Sequence, residues 1–146
     1  MVSKSHKLVF FSLLSILLLA ALPACSGQSK NQQSMMPLDQ MPAEVQSAPV
    51  SVQQAYQFAA ANPDTMKQIP CYCGCGAMGH TSNYSCYVQS ADANGTVTFD
   101  NHALGCSICV DITQDVMRLQ REGKSIPEIR AYVDTTYSKY GPSNMP

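Results

Sequence analysis

Residues 69–80 read Ile69-Pro70-Cys71-Tyr72-Cys73-Gly74-Cys75-Gly76-Ala77-Met78-Gly79-His80. Cysteines at i, i+2 and i+4 project to one side of an extended backbone, because side chains alternate across a strand with period two. The interleaved glycines free the chain to curl, so the three sulfurs can converge on one point. A Cys-X-Cys pair closes as a disulfide only through a small, strained ring, since that bond demands a specific torsion and Cα separation. Thiolate ligands carry no such restriction. The segment therefore reads as an irregular loop folded tightly around something, with His80 and Cys86 close behind it as further donors.

Helical patterns flank this loop. Ser51 is placed to cap a helix carrying Val52, Ala55, Tyr56 and Ala59 on one face, ended by Asn62-Pro63. Tyr84 to Gln89 reads as a short strand, turned at Asn94-Gly95 toward Thr96 to Phe99. A second helix is expected from Asn101 to Glu122, with Asp100 as its cap and Ile108, Ile112, Val116 and Leu119 as its apolar stripe. Gly123 stops it. Ser125-Ile126-Pro127-Glu128 has the form of a capping box with proline in the first turn. The third helix follows, burying Ile129, Tyr132, Val133, Thr136 and Tyr137 and closing at Gly141-Pro142. So short a turn between the last two implies an antiparallel hairpin.

A second donor cluster lies in the expected second helix. Spacings of i, i+4 and i+7 put His102, Cys106 and Cys109 on one helical face near its N-terminus, where the helix dipole favours thiolate over thiol. Cys71, Cys73, Cys75, His80, Cys86, His102, Cys106 and Cys109 are together the candidate metal ligands. A mostly sulfur set suits Cu(I) or zinc, and its richness in thiols favours Cu(I). Two rival readings remain. Cys106-Ser107-Ile108-Cys109 has the spacing of a thiol-disulfide exchange pair, and six cysteines in an exported chain can instead staple a domain by three disulfides in any of fifteen connectivities. No Ser/His/Asp pattern or pair of carboxylates accompanies the thiols, so hydrolytic activity is not expected and a binding role is preferred to an enzymatic one.

The chain has 146 residues, seven of them cysteine. Lys4, His6 and Lys7 precede an apolar run from Leu8 to Leu22, the layout of a secretory signal over residues 1–24. Leu22-Pro23-Ala24-Cys25 resembles the bacterial lipobox, which implies a diacylated Cys25 and an extracytoplasmic chain anchored to a bacterial membrane. The six other cysteines then face an oxidising compartment. Residues 25–50, rich in Gln, Ser, Pro and Met, are expected to form a disordered tether, with Met35, Met36 and Met41 incidental to it. Residues 51–142 make the domain, and 143–146 a disordered tail. Without Lys4 and Lys7 the nine Lys/Arg become seven, against ten Asp/Glu. That balance, with no basic stripe, disfavours nucleic acid as a partner.

Pro70 to Cys75, with Gly79-His80, Ser82-Asn83, Cys86, Asp100, His102, Gly105-Cys106, Cys109, Gly123-Lys124-Ser125 and Glu128-Ile129, resembles the bacterial lipoproteins named for a PCYCGC motif, a family generally described as of unknown function. Arg121 to Ser125, Glu128 to Arg130 and Tyr140-Gly141 are also similar to the helical domain of CcmH-type cytochrome c maturation proteins. That similarity implies dithiol chemistry through Cys106 and Cys109. The expected whole is a mainly α, small three-helix domain with an irregular Cys/Gly-rich loop and one short β-hairpin. Its expected role is to hold a thiophilic metal ion outside the membrane, for storage or for delivery to a membrane metalloenzyme or assembly factor.

Overall fold

The computed structural model describes residues 33–145. The signal segment and Cys25 lie outside them. After a 3-10 turn at Leu38–Gln40 come α1 (Ala43–Gln46), α2 (Val50–Ala61) and α3 (Pro63–Met66). The cysteine loop follows, holding a 3-10 turn at Cys75–Met78, and a further such turn at Tyr84–Cys86 leads into β1 (Val88–Ala91) and β2 (Val97–Phe99). A turn at His102–Leu104 precedes α4 (Ser107–Arg121) and α5 (Ile126–Tyr137). The fold is mainly helical with a single antiparallel hairpin among the described residues, as the sequence patterns imply.

α4 packs against α2 on one side and α5 on the other. Of the expected stripe, Ile112, Val116 and Leu119 are buried and Ile108 is half-buried, while Cys109 joins the buried face. Tyr56, Phe58, Met66, Ile69, Tyr87, Ile112, Ile129 and Val133 are fully buried and form the centre of the core. Tyr132 departs from expectation: it lies exposed, with Arg118 over its ring.

The α4–α5 connection uses two capping devices. At the end of α4, Gly123 N–H donates to Gln120 O and Lys124 N–H to Leu119 O, the paired bonds of a Schellman motif. At the start of α5, Ser125 and Glu128 form a reciprocal capping box.

The tether expectation needs correction. Residues 33–50 are built into the domain: Met41 is 4% exposed and Val45 is fully buried. Pro37, Pro42 and Pro49 each open a helical turn instead of breaking structure. Glutamines complete the docking. Met36 N–H donates to Gln57 O while the Gln57 amide donates back to Met36 O, and the Gln33 amide reaches Met117 O. A composition poor in aliphatics still orders when its few apolar side chains find a groove and its amides satisfy backbone groups. The expected disordered tail is likewise ordered at Ser143–Met145, because Asn144 is bonded to the cysteine loop.

The Glu128 carboxyl is lowered from its ordinary 4.5 to about 2 by bonds from the Ser125 hydroxyl and backbone N–H and from Lys124. A depressed carboxyl stabilises the fold above its unfolded value and loses that contribution as pH falls through the folded one. Thermal unfolding of wild type should therefore weaken between pH 4.5 and about 2 by more than that of Glu128→Gln, whose amide cannot titrate. Parallel melting curves across that window would contradict the capping assignment.

Candidate metal centre

Three parts of the chain bring donors to one region of the core. The loop after Ile69 turns at Gly74, whose φ of +84° lies in the left-handed region that glycine enters without a Cβ penalty. That turn starts the 3-10 segment carrying Cys75. Asn83 N–H, bonded to Ile69 O at 2.7 Å, closes the loop and sets the next turn, which carries Cys86. The hairpin then returns the chain, and Asp100 N–H bonds Tyr87 O at 2.9 Å, so that His102 is delivered beside the loop.

The expected helix from Asn101 is not continuous. His102 sits in a separate 3-10 turn, Gly105 interrupts, and Cys106 is the extended N-cap of α4, with φ −122° and ψ 98°. The three donors of this region still converge, but through a bend in the backbone and not along one helical face. Cys109 occupies the first turn of α4 and is fully buried.

Seven of the eight candidate ligands meet. Cys73, His102, Cys106 and Cys109 form one group, and Cys71, Cys75 and Cys86 another, with the donor atoms of each within 4.8 Å of one another. Cys71 Sγ lies 3.4 Å from both Cys73 Sγ and Cys109 Sγ, and Cys73 Sγ lies 3.6 Å from Cys109 Sγ. His102 Nε2 is 3.3 Å from Cys73 Sγ, and Cys75 Sγ is 3.6 Å from Cys86 Sγ. All six cysteines among the described residues are free thiols. These separations are far beyond a disulfide bond of about 2.05 Å and near the spacing of sulfurs that share one metal ion.

His80 stands apart from both groups. Its ring meets that of His102 edge to face at 5.2 Å, its Nε2 faces Asp100 Oδ2 at 3.6 Å, and its Nδ1 is buried without a hydrogen-bond partner among the described residues. Asp100 does not touch the His102 ring. Its other oxygen accepts the His102 backbone N–H at 2.8 Å, so it caps that turn and orients His80 with the opposite oxygen.

Close packing of thiols divides their acidities. Cys109 is lowered to about 6 by hydrogen bonds donated from Cys71 and then Cys86, against burial and the proximity of Cys106. Its place at a helix start acts in the same direction. Cys71 donates to Cys109, which alone would raise it, but bonds from Cys75 and Cys86 bring it below the ordinary thiol range. Burial chiefly pushes Cys73 up, and its bonds to Cys109, Cys71 and Cys75 push Cys86 up. Buried thiols this close together, such as Cys71, Cys86 and Cys109, do not all ionise unaided. A bound cation removes that conflict and releases protons as it enters.

Two supports were not evident in the sequence. Beneath the cluster, the Tyr87 hydroxyl donates to Cys109 O at 2.7 Å and meets Thr113 Oγ1 at the same distance, while Thr113 Oγ1 lies 2.9 Å from Asn83 Oδ1. All three residues are buried. The signal available was a threonine one turn after Cys109 on the same face. Above the cluster, Asn144 clasps the loop: Cys71 N–H donates to its side-chain oxygen at 2.7 Å, its own N–H donates to Cys71 O at 3.0 Å, and its amide donates to Cys75 Sγ at 3.5 Å. Gly141 permits this close approach, since a methyl there would lie 2.9 Å from Tyr72 O. An asparagine beyond the last helix carries no pattern by which to find it.

Thr113→Val keeps the shape but leaves Asn83 Oδ1 buried without its donor, which should destabilise the metal-free fold by about 1–3 kcal/mol. Denaturant unfolding checks this, and an unchanged midpoint would show that the network contributes nothing.

No curated protein and no solved structure matches the chain. A family described as protein of unknown function with PCYCGC motif matches residues 18–146, a span that includes all seven converging ligands and the Asn144 clasp. The chain thus belongs to the PCYCGC-motif family.

Proposed function

We propose that this chain is an extracytoplasmic, lipid-anchored protein that binds a thiophilic metal ion at its Cys/His cluster, Cu(I) in preference to zinc, for storage or for delivery to a membrane metalloenzyme or assembly factor. One observation carries the reading: six sulfurs and one imidazole nitrogen converge in two touching groups. Four thiolates about 2.3 Å from a tetrahedral ion lie about 3.8 Å apart. The separations of 3.4–3.6 Å need open by only a few tenths of an ångström to admit an ion.

The donor chemistry supports copper. Neither ligand group includes a carboxylate, and the nearest one, Asp100, is engaged with His80 and the His102 amide. Thiolate-rich sites select Cu(I), which also accepts fewer than four ligands, while zinc requires four. The anchor at Cys25 follows from the lipobox resemblance and places the cluster at the membrane surface.

Thiol-disulfide exchange through Cys106 and Cys109 is favoured by one observation, the lowered Cys109 thiol. An attacking thiolate must be reachable, however, and Cys109 is fully buried while the half-buried Cys106 holds the N-cap. Metal binding accounts for all six thiols, and exchange for two.

The test is a competition titration of the reduced full chain, under anaerobic conditions, with Cu(I) held by a chromophoric chelator and with Zn(II) present. Cu(I) should displace zinc, and Cys109→Ala should weaken Cu(I) binding by more than the 10–100-fold typical of losing an outer hydrogen bond to a ligand. Zinc retained against Cu(I) would overturn the copper assignment, and failure to bind either ion would overturn the function.

A further inference from the structure

We infer that the two ligand groups are halves of one dinuclear centre, in which the Cys109 thiolate bridges two soft metal ions. The inference rests on the metal-binding reading above and specifies the form of the site.

The two groups are not separate in space. Cys109 belongs to the four-donor group with Cys73, His102 and Cys106. Yet its sulfur lies 3.4 Å from that of Cys71, a member of the other group. It is closer to Cys71 than to Cys73 of its own group, which lies at 3.6 Å. The groups adjoin at Cys71, whose sulfur lies 3.4 Å from both Cys73 and Cys109.

Position and burial then point to its role. Cys73, His102, Cys106 and Cys109 complete four positions around one ion, whereas Cys71, Cys75 and Cys86 supply only three around the other. Water is poorly placed to fill the gap, because those three residues are at most 2% exposed. A fourth donor for that ion lies within the core: Cys73 and Cys109 are each 3.4 Å from Cys71, and Cys109 is the fully buried one of the two. Seven donors serve two four-coordinate ions when one thiolate is shared, and bridging is ordinary behaviour for a thiolate bound to soft ions. A bent bridge with bonds of about 2.3 Å holds the ions about 3–4 Å apart.

The surroundings fit two ions of unequal exposure. The first is reached past the half-buried Cys73, His102 and Cys106. The second sits deeper, covered by the Asn144 amide on Cys75.

The experiment uses the reduced full chain loaded anaerobically with Cu(I) alone, measured by native mass spectrometry and copper X-ray absorption. Two copper ions per chain should bind, with a copper–copper scattering distance of about 3–4 Å. Cys109→Ser should lose the copper–copper vector, while Cys106→Ser, which removes a terminal donor, should keep it. The wild-type arm decides the matter even if Cys109→Ser fails to fold. Two coppers without a copper–copper vector, or one copper per chain, would overturn the bridge while leaving metal binding intact. No copper at all would overturn both.

Discussion

The contact between the first turn of α4 and the cysteine loop organises this molecule. Cys109 Sγ, fully buried, touches Cys71 and Cys73 from the loop, and its carbonyl oxygen receives the Tyr87 hydroxyl from the segment before the hairpin. One residue therefore holds loop, hairpin and helix together. The loop itself is rich in glycine and cysteine and poor in aliphatic side chains, so it brings little hydrophobic stabilisation of its own. Its shape depends on what the sulfurs hold and on the clasps above and below them.

The clasps are polar, which suits a site that must keep its geometry while its charge changes. Asn83, Tyr87 and Thr113 satisfy one another under Cys109, and Asn144 satisfies the Cys71 backbone from above. Hydrogen bonds of fixed direction hold donors in place more specifically than apolar packing does, and supports of this kind tune ligands where a metal is bound. The Asn144 amide on Cys75 and the Asp100 cap on the His102 turn are the clearest cases.

Much of this was legible in the residues. The stripe Ile112, Val116 and Leu119, the Ser125–Glu128 capping box and Gly123 located the helical hairpin, because helix faces and ends follow from local rules. The donors His102, Cys106 and Cys109 were also found, but on the wrong geometry: a regular helix was expected where a 3-10 turn, Gly105 and an extended Cys106 intervene. Cys-rich turns take their shape from partners distant in sequence, which periodicity does not contain. His80 stands outside both groups, edge to face with His102 and facing Asp100. The same limit explains residues 33–50 and Asn144. Their order comes from docking onto α2, α4 and the loop, through contacts such as Gln33 to Met117 and Asn144 to Cys71, separated by 84 and 73 positions.

The central claim is that these six sulfurs serve a metal ion. It is tested most directly on protein isolated from its native cells without chelator, by elemental analysis alongside mass spectrometry of the alkylated chain. The account predicts bound copper, with all six thiols of the domain becoming alkylatable once the metal is stripped. Metal-free protein whose six sulfurs are paired in three disulfides would contradict it.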